Sequence, residues 1–236
     1  MADASSSESA LRVARVVHRT TAEGPGRRTA LWVQGCSIRC KGCINPHLFS
    51  ARGGTLTAPA TIIAAALEAG DEGLTLLGGE PLDQVEPVTE LARLAQQARL
   101  GVICFSGYAF DDIAAKSSGE RLLRHVDLLV DGPYIAGSPD IERALVGSSN
   151  QRFIHLTDRY ADYSPELTPD KVELRILPTG EVSMAGFATT ERLEELAVAL
   201  EARRSLSPSG RTGLGSGRPT PERADPPVGR HQSCDA

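Results

Sequence analysis

The sequence predicts an α/β protein in which parallel strands form a partial, open β/α barrel. Short, unbroken apolar runs alternate with helical patterns between residues 30 and 156. That alternation is typical of a parallel sheet covered by helices. About five such strands precede residue 157, whereas a closed barrel has eight strands and roughly 200 to 250 residues. We therefore expect an open barrel, followed by a C-terminal hairpin and helix and a disordered tail.

The strands and helices of the core are predicted in chain order. Apolar runs indicate strands at 30–35, 74–80, 101–108, 126–134 and 150–156. A first helix is expected at 57–70, with Thr57 as its cap, Pro59 in its first turn and Gly70 at its end. A second helix is expected from Pro87 onward, because apolar residues recur there at helical spacing. A short helix is expected at 120–126.

Four segments are predicted from composition and pattern. Residues 1–19 form an N-terminal segment that is partly disordered, and residues 20–156 form the core domain. Residues 157–204 form an extension with a hairpin around 178–180 and an amphipathic helix after Thr190. Residues 205–236 are rich in Gly, Pro and Ser. Such a segment buries too little apolar surface to offset its ordering entropy, so we expect a disordered tail.

The bulk composition excludes several classes of protein. The 236 residues carry a formal net charge of −5, which argues against general binding to nucleic acid. No run of about 18 apolar residues exists, so no membrane span is expected. The start lacks the basic and apolar regions of a secretory signal. Five cysteines in this length do not make a disulfide scaffold. We expect a cytoplasmic protein with metal or redox chemistry.

Three of the five cysteines lie within eight residues, directly after the first predicted strand. Cys36, Cys40 and Cys43 have the spacing C-x3-C-x2-C. Structural zinc takes four ligands, which His47 would complete. A 4Fe-4S cluster also takes thiolates, and with three of them one iron keeps an open position. The spacing alone leaves both metals, and unligated thiols, open. Cys104 lies inside a predicted strand, where cysteine commonly behaves as an apolar residue.

Other unusual residues follow the ends of later strands. Gly78, Gly79 and Glu80 end the second predicted strand, Ser106 ends the third, and Asp131 ends the fourth. In parallel sheets, active-site and ligand-binding residues lie mostly at the carboxyl ends of the strands. These residues also have simpler interpretations, since a strand-ending turn explains the glycines and a turn before Gly-Pro explains Asp131.

Six segments in order resemble the radical S-adenosylmethionine enzymes. They resemble in particular the activating proteins of anaerobic ribonucleoside-triphosphate reductases, a branch of the glycyl-radical-enzyme activases. The segments cover roughly residues 20–156 and are GPGRRTALWVQGC, CKGCINPH, GGEP, SGY, LLVDGPY and GSSNQR. Many enzymes of the superfamily have an aromatic residue before the third cysteine. This chain has Gly42 there, which is usual in the reductase-activating branch.

The resemblance implies roles for individual residues. Cys36, Cys40 and Cys43 would ligate three irons of one 4Fe-4S cluster, and S-adenosylmethionine would chelate the fourth. Gly78, Gly79 and Glu80 would receive its methionine amino group. Ser106 and Asp131 would contact methionine or ribose, and Asn150 would line the same pocket. For Asn150 a structural role at a strand edge stays open. Arg28 would support either the loop or the partner.

The implied function is that of a radical S-adenosylmethionine activase. The enzyme would cleave S-adenosylmethionine reductively to a 5′-deoxyadenosyl radical, which would generate a glycyl radical on an anaerobic ribonucleotide reductase. A flavodoxin-type protein would donate the electron. An alternative within the superfamily is a radical enzyme acting on a small molecule or peptide. An alternative outside it is a zinc-binding module without catalysis.

Overall fold

The computed structural model describes residues 10–176 and 182–186, with residues 179, 194–195 and 198–199. The chain divides into two compact units, residues 1–190 and residues 191–236. Residues 1–9 of the predicted N-terminal segment and the predicted tail at 205–236 lie outside the described residues. So does most of the predicted helix after Thr190, of which residues 194, 195, 198 and 199 are described as helical. Within the described part of the chain, no helix combines the length and the apolar character needed to cross a membrane.

The centre of the first unit is a seven-stranded sheet. Its strands are β1 (Leu11–Thr20), β2 (Arg28–Val33), β3 (Thr55–Thr57), β4 (Gly73–Gly78), β5 (Gly101–Phe105), β6 (Leu128–Asp131) and β7 (Arg152–His155). Their order in the sheet is β3-β1-β2-β4-β5-β6-β7. The four central strands β2, β4, β5 and β6 run parallel, and the outer strands pair antiparallel with their neighbours. The fold is therefore α/β with a parallel centre, as predicted.

Four helices accompany the sheet: α1 (Pro59–Glu68), α2 (Val85–Gln97), α3 (Phe110–Ala114) and α4 (Ser117–Leu123). In α2 the buried residues Val88, Leu91, Ala92 and Ala95 recur at helical spacing. They share one hydrophobic cluster with sheet residues such as Leu31, Leu74, Val102 and Leu129. Cys104 belongs to this cluster and is fully buried, as expected for an apolar role.

The structure differs in detail from three predictions about this unit. The segment assigned to a partly disordered terminus contains β1, whose residues Leu11, Val13 and Val17 are buried between more exposed neighbours. The last strand of the core, β7, runs antiparallel to β6, because the chain returns through a loop and not through a covering helix. Thr57 ends β3 and does not cap α1, whose N-cap is Ala58 without a side-chain hydrogen bond.

The predicted hairpin is confirmed and packs against the core. Strands β8 (Val172–Ile176) and β9 (Val182–Gly186) pair antiparallel. Ala185 of β9 joins a second hydrophobic cluster with Val17, Trp32 and Leu77, which are sheet residues outside the helix-packed cluster. The guanidinium of Arg175 donates to the carbonyl of His18 in β1 at 2.6 Å. The hairpin therefore contacts a part of the sheet that the helices leave uncovered.

Candidate functional site

The cysteine loop begins at Cys36, three residues after the end of β2, and lies at the carboxyl edge of the parallel strands. Cys36, Cys40 and Cys43 are free thiols, and each is partly exposed. A backbone hydrogen bond of 3.2 Å from Cys43 to Cys40 makes a turn of the loop. The amide of Asn45 donates to the sulfur of Cys43 at 3.4 Å. Hydrogen bonds of this kind stabilise a sulfur that carries negative charge.

The donor set of the loop suits an iron–sulfur cluster. Three soft sulfur ligands lie within eight residues, and the segment from Gly35 to Leu67 contains no carboxylate. The described residues contain no group of three His, Cys, Asp or Glu side chains already converged for a metal ion, with or without His47. Gly35, Arg39 and Gly42 have positive φ angles of 99°, 52° and 80°. The backbone of the loop is therefore tightly bent around its thiols.

Cys36 lies where a thiolate needs a neighbouring cation. Burial raises the pKa of the Cys36 thiol above its usual range, and the charges of Glu80 and Asp83 raise it further against the opposing effect of backbone amides. A metal ion reverses this effect, because coordination deprotonates a thiol outright.

Gly78 and Gly79 bring the end of β4 against the start of the cysteine loop. The amide of Gly79 donates to the carbonyl of Val33 at 2.9 Å, and the amide of Glu80 to the carbonyl of Gly35 at 2.8 Å. A Cβ atom at Gly79 would lie 2.1 Å from the oxygen of Gly35. A side chain at position 79 would therefore collide with the backbone of the segment that leads into Cys36.

Glu80 joins the ends of β4 and β5. Its side chain is 2% exposed. It accepts hydrogen bonds of 2.9 Å from the amide of Leu82, the hydroxyl of Ser106 and the amide of Gly107. Burial raises the pKa of Glu80 to about 7, although these donors oppose the shift. A carboxylate offers about four lone-pair sites. Glu80 is thus fixed in place and can accept a further donor.

Asp83 is a site residue that the sequence reasoning missed. Its carboxylate accepts from the amide of Ser37 at 2.6 Å and from the hydroxyl of Ser37 at 2.7 Å. The same hydroxyl lies 3.0 Å from the hydroxyl of Tyr108. Asp83 therefore fastens the residue that follows Cys36 to the turn after Glu80. No local pattern marks a pair that is 46 positions apart.

Asp131 and Asn150 lie at the far side of the same edge. The buried carboxylate of Asp131 accepts from the amide of Phe110 at 2.6 Å and from two nitrogens of Arg152. The amide nitrogen of Asn150 donates to the carbonyl of Pro133 at 2.8 Å, whereas its Oδ1 atom is buried without a hydrogen-bond partner. The lone pairs of this oxygen are free to accept from an N–H or O–H group.

Arg28 lies at the opposite end of the strands and supports the fold. It is fully buried at the amino end of β2, where it pairs with Gly73. Its guanidinium donates to five acceptors: the carbonyls of Pro25, Leu74 and Gly101 and the hydroxyls of Thr75 and Tyr160. These contacts lie away from the cysteine loop, so they support neither of the two roles that the resemblance implied and instead a structural role at the amino ends of the strands.

Comparison with known proteins gives concordant results. A family model described as a 4Fe-4S single cluster domain matches residues 22–154. The anaerobic ribonucleoside-triphosphate reductase-activating protein of Enterobacteria phage T4 is 34% identical over 142 residues, which are 57% of this chain and 88% of that protein. The protein of the same name from Escherichia coli K12 is 29% identical, over 56% of this chain and 91% of its own.

A pyruvate formate-lyase-activating enzyme from Clostridium pasteurianum is 29% identical over 46% of each chain. Among solved structures, QueE from Escherichia coli has a TM-score of 0.35 and 13% identity over 42% of this chain and 53% of its own, a likeness too remote to inform the fold. The family model spans more than half of the chain, and the phage protein is matched over most of its length. The chain therefore belongs to the 4Fe-4S single cluster domain family and, within it, to the radical S-adenosylmethionine activases of glycyl-radical enzymes.

Proposed function

We propose that this protein binds one 4Fe-4S cluster through Cys36, Cys40 and Cys43, binds S-adenosylmethionine beside it, and generates a glycyl radical on an anaerobic ribonucleoside-triphosphate reductase. The observation that carries this proposal is the backbone bonding of the Gly79–Glu80 turn to Val33 and Gly35, the residues that lead into Cys36. That bonding joins the two segments which the cluster and the cofactor would occupy. The names of the relatives support the choice of partner.

The cluster, when bound, would pass one electron to the sulfonium of S-adenosylmethionine, and the resulting 5′-deoxyadenosyl radical would remove a hydrogen atom from a glycine. The protein's own residues would orient these reactants and exclude water. Glu80, already fixed by three donors, would accept from the methionine ammonium. The buried Oδ1 atom of Asn150 would accept from a polar hydrogen of the cofactor. The sheet would form the partial barrel of this superfamily.

Ser106 and Asp131 have more specific roles in this proposal. Ser106 donates to Glu80 and accepts from the amide of Tyr108 at 3.0 Å, so we assign it to positioning Glu80. Asp131 is occupied by Arg152 and the amide of Phe110, so it would meet the ribose only from its remaining lone pairs. A flavodoxin-type protein would supply the electron, and the cytoplasm would supply both protein partners.

The proposal is tested by replacing each cysteine separately with alanine. Anaerobically reconstituted wild-type protein should hold four irons per chain and, once reduced, should release 5′-deoxyadenosine from S-adenosylmethionine. Cys36→Ala, Cys40→Ala and Cys43→Ala should each lose most of the iron and the cleavage activity, because three thiolates are the minimum set for the cluster. Cys104→Ala is the matched control and should keep both, since Cys104 lies in the hydrophobic core.

Glycyl-radical formation is measured separately by electron paramagnetic resonance after mixing with an anaerobic ribonucleotide reductase. Cleavage of S-adenosylmethionine without a radical on any glycyl-radical enzyme would point to a small-molecule or peptide substrate. A colourless protein that holds one zinc would contradict the proposal entirely.

A further inference from the structure

The segment that carries the cysteines is positively charged in an acidic protein. Residues 35–67 contain Arg39, Lys41 and Arg52 and no Asp or Glu, whereas the whole chain has a net charge of −5. All three side chains belong to exposed residues. Within residues 10–176 and 182–186, no ion pair involves any of them, although seven other arginines of that part are paired. Their charge is therefore directed to solvent.

A concave surface connects one of these cations, Arg39, to Cys36. A cavity of about 350 Å³ is lined by Arg12, Arg39, Cys36 and Phe49, with Asp83 at its wall. Asp83 is its lining carboxylate, and both oxygens of Asp83 accept hydrogen bonds from Ser37. Arg52 lies between Ala51, which also lines the cavity, and Gly53, whose carbonyl accepts from Arg12 at 3.0 Å, so its backbone lies at the same rim. We call Arg12, Arg39 and Arg52 the basic rim.

The strand order separates the basic rim from the residues proposed to meet the cofactor. Arg12 lies in β1, and Arg52 lies just before β3, at one side of the sheet. Glu80, Asp131 and Asn150 follow β4, follow β6 and precede β7, toward the other side. The cysteine loop follows β2, between the two. One macromolecule can thus reach the cysteine loop from the β1 and β3 side while another occupies the cofactor side.

We propose that the basic rim binds an acidic one-electron carrier protein of the flavodoxin type. This inference rests on the proposed function, which requires an electron from outside the chain. A chain of net charge −5 repels an acidic carrier in general, so a local cluster of unpaired cations selects the face on which the carrier docks. The cavity beside Cys36 lets the carrier approach the place where the electron is needed.

Binding is tested by calorimetry with oxidised flavodoxin and the reconstituted protein. The affinity of the wild type should fall as the ionic strength rises from about 20 to about 200 mM, because exposed charges are screened. Arg39→Glu/Arg52→Glu should weaken binding by about tenfold or more at the lower ionic strength. The matched control is Arg19→Glu/Arg99→Glu. It makes the same change of charge at two exposed arginines near the amino ends of β2 and β5 and should stay within about twofold of the wild type.

A second readout is the ratio of two rates of S-adenosylmethionine cleavage, one driven by reduced flavodoxin and one by photoreduced deazaflavin, a small chemical reductant. A change in the cluster itself alters both rates, so the ratio isolates docking. The ratio should fall for Arg39→Glu/Arg52→Glu and stay constant for the control. If the wild type fails with deazaflavin, the proposed function is wrong. If it succeeds and the ratio is the same in both double variants, only the docking surface is wrong.

Binding of the glycyl-radical partner is measured in the same variants. Loss of reductase binding in Arg39→Glu/Arg52→Glu, with flavodoxin binding intact, would assign the basic rim to that partner and overturn the inference.

Discussion

At the scale of single residues, Arg28 has the most complete set of contacts in the described chain. A guanidinium has five N–H donors, and the five acceptors around Arg28 match that number. Burial lowers the pKa of Arg28, but no carboxylate pairs with it among the described residues. Neutral dipoles from β4, from β5 and from two connecting segments therefore stabilise this charge.

Arg28→Lys should destabilise the protein by about 2–4 kcal/mol, because three ammonium donors leave at least two buried acceptors unsatisfied. Urea unfolding followed by circular dichroism measures the change. Arg124→Lys is the control, since Arg124 forms an exposed pair with Glu120, and it should stay within about 0.5 kcal/mol. Equal unfolding midpoints for Arg28→Lys and wild type would show that the five contacts contribute little.

The residues of the site were predictable to different degrees. The three cysteines and the Gly78–Glu80 turn could be found from the sequence, because spacing and residue type within a short segment carry the signal. Asp83 and the partners of Arg28 could not, because they act on residues 46 or more positions away, or on backbone groups that any residue supplies. Contacts of this kind depend on how the strands are brought together.

At the scale of elements, the parallel strands were predictable, whereas β1 and the direction of β7 were not. The central strands read as unbroken apolar runs because both of their faces are covered; all six residues of β2 are buried. β1 alternates buried and more exposed residues, and its polar positions include Arg12, Arg15 and His18. Read without its partner strand β2, this mixture of apolar and polar residues is also typical of a solvent-exposed segment. The direction of β7 likewise depends on its neighbour.

The hairpin of β8 and β9 is attached to the core by polar contacts that the sequence does not reveal. The amide of Gly186 donates to Oε1 of Glu23 at 2.6 Å, and the amide of Thr21 donates to Glu173 at 2.6 Å. Arg15 donates to the hydroxyl of Ser183 at 2.9 Å. Glu23 is 2% exposed, and its Oε2 atom has no hydrogen-bond partner.

The buried carboxyl group of Glu23 makes the stability of the protein depend on pH. Burial raises the pKa of Glu23 from 4.5 to about 7, against the opposing effects of the Gly186 amide and Arg15. The folded state therefore holds a proton that the unfolded state has released, and stability should fall as the pH rises from about 4.5 to about 7. Glu23→Gln should abolish this part of the slope while keeping an acceptor for Gly186.

The measurement is the urea midpoint of wild type and Glu23→Gln at about pH 5 and about pH 8. The difference between the two proteins should change by up to about 3 kcal/mol between these conditions, in favour of the variant at the higher pH. Glu80 has a pKa of about 7 as well, but it is present in both proteins and cancels. Parallel pH profiles would contradict the role of Glu23.

At the scale of the whole molecule, we propose that the folded unit extends beyond the core predicted at 20–156. β1 starts it at Leu11, and β9 adds Ala185 to the second hydrophobic cluster. Tyr160, beyond the predicted boundary, accepts from Arg28 at 2.6 Å, and its ring lies 5.3 Å from that guanidinium. The segment after 156 thus completes contacts at both the amino end of β2 and the part of the sheet that the helices leave uncovered.

Truncation distinguishes the two boundaries. A chain of residues 1–190 should fold with a cooperative unfolding transition, because it contains the whole first unit. A chain of residues 1–156 should be unstable or aggregate, since Arg28 loses one acceptor and Trp32 and Leu77 lose the cover of Ala185. Circular dichroism and size-exclusion chromatography measure both. A monomeric, cooperatively folded 1–156 chain would restore the shorter boundary.

The cysteine loop is attached to β2, a strand that is buried on both faces, and this attachment affects what happens to the protein when its cluster is lost. The loop from Cys36 to His47 contributes no residue to either hydrophobic cluster, so the scaffold does not depend on what the thiols bind. Destruction of the inorganic centre by oxygen would then leave an intact apoprotein. Such a chain can be repaired by delivery of new iron and sulfide, without degradation and resynthesis.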